Sequence, residues 1–124
     1  MKLSKLAYNG EIFSIEFYVD GVGAIPAEEW LESQSPKMQQ KLAALFVMLG
    51  DHGKIFNEQK FKHLSDTSQL FEFKADQGRV LCFFFVGQRV ILTHGFLKKS
   101  DKTPRGEIDR AENIKADFTA RSKR

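Results

Sequence analysis

The chain has 124 residues, 42% hydrophobic and 28% charged, which is the composition of one soluble globular domain spanning residues 1–124. Its single cysteine, Cys82, excludes an intramolecular disulfide framework and a cysteine-based zinc cage, and no apolar run approaches the ~20 residues of a membrane span. The net charge of +3 is uneven: residues 1–53 carry four basic and seven acidic side chains, and residues 54–124 carry fifteen and nine. A basic second half favours a phosphate-bearing partner, and the absence of a signal-peptide pattern predicts a cytoplasmic protein.

The first half of the chain predicts one strand and two helices. Residues 11–19, EIFSIEFYV, alternate and are rich in β-branched and aromatic side chains, as is typical of a strand. Pro26 can take the first position of a short helix, and Ser35 can cap a longer one that begins with the next proline. In this second helix the apolar residues form one stripe, so we assign it to the core; a glycine at 50 or 53 can end it. The stripe consists of Met38, Leu42, Leu45, Phe46 and Leu49.

The second half predicts three strands and a final helix. Residues 54–68 form a connection, and tight turns then separate strands over 69–75, 79–86 and 89–96, which makes an antiparallel meander. Thr103 is expected to cap the last helix, and residues 119–124 are expected to fray as a basic tail. The order predicts a small α+β domain. Its antiparallel sheet combines the N-terminal strand with the meander, and the helices pack on one face of that sheet.

Cationic side chains gather around the predicted meander, and no Gly-rich phosphate loop or HExxH motif accompanies them. Each has an ordinary explanation when taken alone, as solvated surface, a polar strand start or a structural histidine. The sequence does not fix the strand register, so their convergence is a geometric hypothesis. The group consists of Lys62, Lys74, Arg79, His94, Lys98 and Lys99.

Cleavage of RNA through its own 2′-hydroxyl has a use for this mixture. The reaction needs a base for that hydroxyl, cations for the extra negative charge on phosphorus and an acid for the departing 5′-oxygen, and it needs no metal or other cofactor. Arginine suits bidentate contact with phosphate, and the pKa of a lysine falls when other cations crowd it. His94 is the one member of the group whose ordinary pKa lies near neutrality.

Four segments resemble a known family. LFEFK (70–74), GRV (78–80), HGFLKK (94–99) and KTPRGEIDRA (102–111) are similar to motifs of the phage-derived, HigB-like branch of the RelE/ParE toxin superfamily. The close match covers about two-fifths of the chain. Lys74 stands where that branch commonly has arginine, and Gly78 and Cys82 stand where it frequently has aromatic residues.

The resemblance implies a RelE-like fold and the toxin of a type II toxin–antitoxin system. The implied activity is a ribosome-dependent, metal-independent mRNA endonuclease, with a cognate antitoxin and ribosome-bound mRNA as partners and with no small-molecule cofactor. Arg79 would bind the scissile phosphate, Lys98 or Lys99 would offset charge in the transition state, and His94 would act as acid or base. Lys62 and Lys74 would bind substrate. The alternative is a non-catalytic protein of the same fold, a ParE-like inhibitor or a phage-derived binding protein.

Overall fold

The computed structural model describes residues 2–123, which form six strands and three helices. The strands are β1 (Ser4–Asn9), β2 (Ser14–Tyr18), β3 (Phe61–His63), β4 (Phe71–Ala75), β5 (Gly78–Phe85) and β6 (Arg89–Leu97). The helices are α1 (Pro26–Glu32), α2 (Pro36–His52) and α3 (Arg105–Ser122). Across the described residues, none of these helices is both long and apolar enough to cross a membrane.

All six strands join one sheet in the order β1-β2-β6-β5-β4-β3. The α+β class and the antiparallel β4–β5–β6 meander are confirmed. The sheet is larger than predicted, because β1 forms a hairpin with β2, and β3 lies inside the expected connection and pairs with β4. It is also mixed rather than wholly antiparallel. After β2 the chain forms α1, α2 and the strands β3, β4 and β5. It then adds β6 between β5 and β2, and β6 runs parallel to β2.

Helices cover both faces of the sheet, which corrects the prediction of a single covered face. One core cluster joins α1 and α2 to alternate residues of the strands, among them Val80 and Cys82 of β5. A second cluster joins α3 to the intervening residues, among them Leu81 and Phe83. Because β5 is apolar on both sides, each of its faces needs a cover that excludes water.

The ends of the two long helices follow local chemistry. The Ser35 hydroxyl accepts a hydrogen bond from the Met38 amide at the start of α2, and Gly53 ends that helix at φ +80°, where glycine is favoured. The C-terminal helix α3 continues to Ser122, so residues 119–122 are helical and the expected frayed tail is wrong for them. The Arg121 guanidinium explains the difference, because it bonds the Val19 carbonyl at 2.7 Å and the Asp117 carboxylate at 2.6 Å. Arg124 lies outside the described residues.

Candidate functional site

A β-bulge in β6 decides which side chains reach the α3 face of the sheet. Leu81 pairs with His94 and Cys82 pairs with Leu92, so Thr93 is an extra residue with no partner of its own in the register. Its hydroxyl bonds the Leu81 carbonyl at 3.1 Å. Strict alternation would place His94 on the α2 face together with Leu92. The bulge reverses the alternation and turns residues 94, 96 and 98 toward α3.

A small cleft opens on the α3 face at the end of the sheet where β5 begins and β6 finishes. Its register follows from Lys74 pairing with Arg79 and Arg79 pairing with Phe96. The cleft has a volume of about 20 Å³, which is room for about one water molecule. Its walls come from β4, β5, β6 and residues 98–104, here called the exit segment. They consist of Glu72, Lys74, Arg79, Phe96, Lys98, Asp101 and Thr103.

Arg79 forms the buried floor of this cleft. Its side chain is 8% exposed, and Nη1 donates to the carbonyls of Asp76 and Gly78, both at 2.8 Å. The buried carboxylate of Glu72 lies 3.9 Å from its Nε. The guanidinium is therefore held in one orientation by its own turn and by a neighbouring negative charge.

The ammonium of Lys74 is half-buried beside several other cations. Burial lowers its pKa, and the nearby charges of Lys62, Arg79 and Lys98 lower it further, while Glu72 partly offsets them. The register places Lys62 opposite Glu72 on the same face, although Lys62 itself is exposed. Lys74, Arg79 and Lys98 thus line one cleft, and the charge of Lys62 acts on Lys74 from the neighbouring strand.

The exit segment is fastened over the cleft at both of its ends. The Lys98 amide donates to the Gln77 carbonyl at 2.7 Å, and the Thr103 hydroxyl donates to Glu72 Oε2 at 2.8 Å. Thr103 was predicted to cap α3, but Pro104 occupies the N-cap position and no side chain caps the helix there. The threonine hydroxyl instead latches the exit segment to the carboxylate that neighbours Arg79.

Three predicted site residues, Lys62, His94 and Lys99, are not part of the cleft wall. His94 lies on the correct face but is fully buried; its Nε2 is 2.9 Å from Glu107 Oε1 and its Nδ1 is 3.1 Å from Thr93 Oγ1. Burial lowers its pKa, although the bond with Glu107 opposes the shift. Lys99 is exposed, and the cleft-lining residues of the described chain do not include it.

Comparison with known proteins identifies the family. A sequence model of the family described as phage derived protein Gp49-like (DUF891) matches residues 29–116, more than half of the chain. The chain belongs to this Gp49-like family. The family is part of the RelE/HigB-type toxin-like group. None of the curated proteins that were compared with the chain matches it.

The matched range of the Gp49-like family contains every residue of the cleft. Two of these residues, Glu72 and Thr103, form a bonded pair that sequence reasoning did not place in the site. No local signal links them, because they are 31 positions apart and meet only when the exit segment folds back over β4. Among residues 2–123, no group of three His, Cys, Asp or Glu side chains is arranged to hold a metal ion.

Proposed function

We propose that this Gp49-like protein is the toxin of a type II toxin–antitoxin system and that it cleaves ribosome-bound mRNA without a metal ion. The proposal is carried by the convergence of Lys74, Arg79 and Lys98 at one cleft. Membership of a family in the RelE/HigB-type toxin-like group supports it. The three cations outnumber the two carboxylates of the cleft, Glu72 and Asp101, so the cleft favours a phosphodiester, which becomes more negative as it is attacked.

In the proposed reaction the 2′-oxygen attacks the adjacent phosphorus and the bond from phosphorus to the 5′-oxygen breaks. The products are a 2′,3′-cyclic phosphate and a 5′-hydroxyl. Lys74 accepts the proton of the 2′-hydroxyl, since burial and the neighbouring cations lower its pKa and enlarge its neutral fraction. Lys98 gives a proton to the leaving oxygen, and Arg79 offsets negative charge from the cleft floor.

The other polar side chains around the cleft take supporting roles in this proposal. Glu72 is too closely tied to Arg79 and Thr103 to contact substrate, so it positions them. His94 is fully buried, so it holds Glu107 and the first turn of α3 rather than transferring a proton to RNA. Acid–base work therefore falls to the lysines.

The small size of the cleft supports dependence on the ribosome. A volume of about 20 Å³ admits little more than part of a phosphate group, and the remaining nucleotides have few contacts there to orient them. Positioning a phosphodiester in line for attack is worth several orders of magnitude in rate, so an external template for the message is expected to matter. The proposed antitoxin would silence the protein by covering the mouth of the cleft.

Induced expression in a bacterial host tests the toxin proposal. The intact protein should arrest growth and create new 5′ ends in messages, and Arg79→Ala should relieve both effects because the charge at the cleft floor is lost. Circular dichroism of the purified variant shows whether it is folded. Absence of growth arrest by the intact protein would contradict the toxin role.

The chemistry of the cut ends tests the mechanism separately. Attack by the 2′-oxygen leaves a 5′-hydroxyl, which a polynucleotide kinase can label directly. Products with a 5′-phosphate and a 3′-hydroxyl would show that water attacks the phosphorus and would overturn the assigned roles. Growth arrest without any new 5′ ends would favour the non-catalytic alternative, an inhibitor of the same fold.

A further inference from the structure

Exposed apolar side chains collect where α2 ends and the connection to β3 begins. Of the eight large hydrophobic side chains that are exposed among residues 2–123, four lie here: Ile12 beside Gly53, together with Val47, Met48 and Phe56. Phe56 is 84% exposed. We call this region, formed by the outer side of α2 and residues 53–58, the Phe56 surface. A cluster of this kind on a folded domain marks a place where another molecule binds.

Two open pockets lie side by side on the Phe56 surface. Residues 54–56 line both of them and so form a ridge between the two. The first pocket, of about 670 Å³, lies toward the exposed side of α2 at Ala44, Val47 and Met48. The second, of about 350 Å³, lies toward the sheet. The surface therefore carries a projecting phenylalanine and, next to it, space for a side chain of the same size.

Aromatic rings form much of the wall of the second pocket. Phe71 stacks on Phe61 with the ring centroids 5.4 Å apart, and its ring meets that of Phe84 edge to face at 5.0 Å. Phe71 and Phe84 are only partly buried, so an incoming group can reach them. Aromatic rings pack favourably on one another in stacked or edge-to-face arrangements. This pocket thus suits a ring such as that of Phe56.

The charges around the Phe56 surface are balanced. Lys54 and Glu58 are exposed, and the Lys54 ammonium lies 5.3 Å from the centre of the Phe56 ring. With histidine counted as neutral at pH 7, these two are the charged residues that line the pockets. A balanced surface does not repel an identical surface, and it gives no advantage to RNA or to a strongly acidic protein.

We propose that the Phe56 surface binds the same surface of a second copy of this chain across a two-fold axis. In such a contact both copies present the same residues, so Phe56 of each copy enters the aromatic pocket of the other, and Lys54 of each faces Glu58 of the other. The cleft stays open. Arg79 and Phe84 are five residues apart on β5, roughly 17 Å, and lie on opposite faces of the sheet. The dimer is therefore independent of the function proposed for the cleft.

Sedimentation equilibrium of the full chain over a range of concentrations tests the dimer. A small interface of this kind predicts a dissociation constant of roughly 10–100 µM. Phe56→Asp should raise that constant at least about thirtyfold, because the aromatic anchor is lost and a charge enters an apolar pocket. Val22→Asp is the matched control. It adds the same charge at a side chain that is 90% exposed and lines neither pocket, so it should dimerise like the intact protein.

Exchange of the two charges tests the two-fold geometry and does not depend on the Phe56 variant being folded. Lys54→Glu and Glu58→Lys should each weaken the dimer about fivefold, because like charges then face each other twice across the axis. The variant that carries both substitutions should dimerise like the intact protein. A double variant as weak as the single ones would overturn the two-fold contact.

Two further results would overturn the inference. A chain that remains monomeric up to about 1 mM, ten times the upper end of the expected range, would leave a different protein as the occupant of the surface. A dimer that persists unchanged in a folded Phe56→Asp variant, with folding checked by circular dichroism, would place the contact elsewhere. Neither result bears on cleavage of RNA, which growth arrest and new 5′ ends test separately.

Discussion

Replacing Lys98 by methionine should separate catalysis from stability. The Lys98 side chain is 27% exposed, and its Nζ lies 4.0 Å from the carboxylate of Asp101, which is fully exposed. Such a pair contributes little to folding, so the melting temperature should stay within about 2 °C of the intact protein. A preorganised charge at the reacting phosphate is worth about 3–4 kcal/mol, or ~10²–10³ in rate. Because Lys98 is partly solvated, we expect the lower end, about a hundredfold loss.

Lys99→Met is the matched control, because it removes the same charge one residue away from an exposed position. The assay adds each protein to a bacterial translation extract at one salt concentration and follows new message 5′ ends by primer extension. The Lys99 variant should cut within about threefold of the intact protein. Equal losses of cleavage in both variants would mean that the net positive charge of this region matters, not the position of Lys98. A Lys98 variant that cuts as fast as the intact protein would show that this lysine is not part of the site.

Three further substitutions test other contacts. Thr103→Ala should lower the free energy of unfolding by about 1–2 kcal/mol and slow cleavage, because the buried Glu72 carboxylate loses its hydroxyl donor. Thr103→Ser keeps the hydroxyl and should restore both stability and cleavage. An alanine variant with unchanged stability and cleavage would contradict a role for this hydrogen bond. Burial acts to raise the pKa of Glu16, but bonds from Arg89 and two serines prevail and lower it below 4.5. Stability should therefore decline as the pH falls below about 4.5, and urea titrations should show a flatter decline in Glu16→Gln; equal slopes would refute this. Gly95→Ala places a Cβ 2.2 Å from the α1 tryptophan ring and should lower the free energy of unfolding by about 1–3 kcal/mol, measured by thermal unfolding; an unchanged melting temperature would contradict this close packing.

Much of the fold could be predicted because it depends on local chemistry. Ser35 caps α2 and Gly53 ends it at positive φ, which are properties of the residues themselves. The meander follows from short apolar runs separated by turns of two or three residues. These features need no knowledge of what the rest of the chain does.

The remaining features depend on contacts between distant segments. The pairing of β2 with β6 joins residues about 75 positions apart, and nothing in either strand names its partner. The bulge at Thr93 could not be seen either, yet it reverses the side on which His94 and Lys98 lie. Thr103 looked like a helix cap because its hydroxyl precedes Pro104, but the tertiary partner Glu72 takes that hydroxyl. Residue types and the family resemblance thus predicted that a site exists. The strand register determines which of the predicted residues line it.

The placement of β2 beside β6 also bears on where this molecule can be divided. The family match begins at residue 29, after both β1 and β2, so a fragment trimmed to the matched range would leave one side of β6 unpaired. A strand with an unpaired edge can form hydrogen bonds with other chains and promotes aggregation. The boundary by which the family is recognised is therefore not a boundary at which the protein folds, because trimming there removes β2, the strand that pairs with one edge of β6.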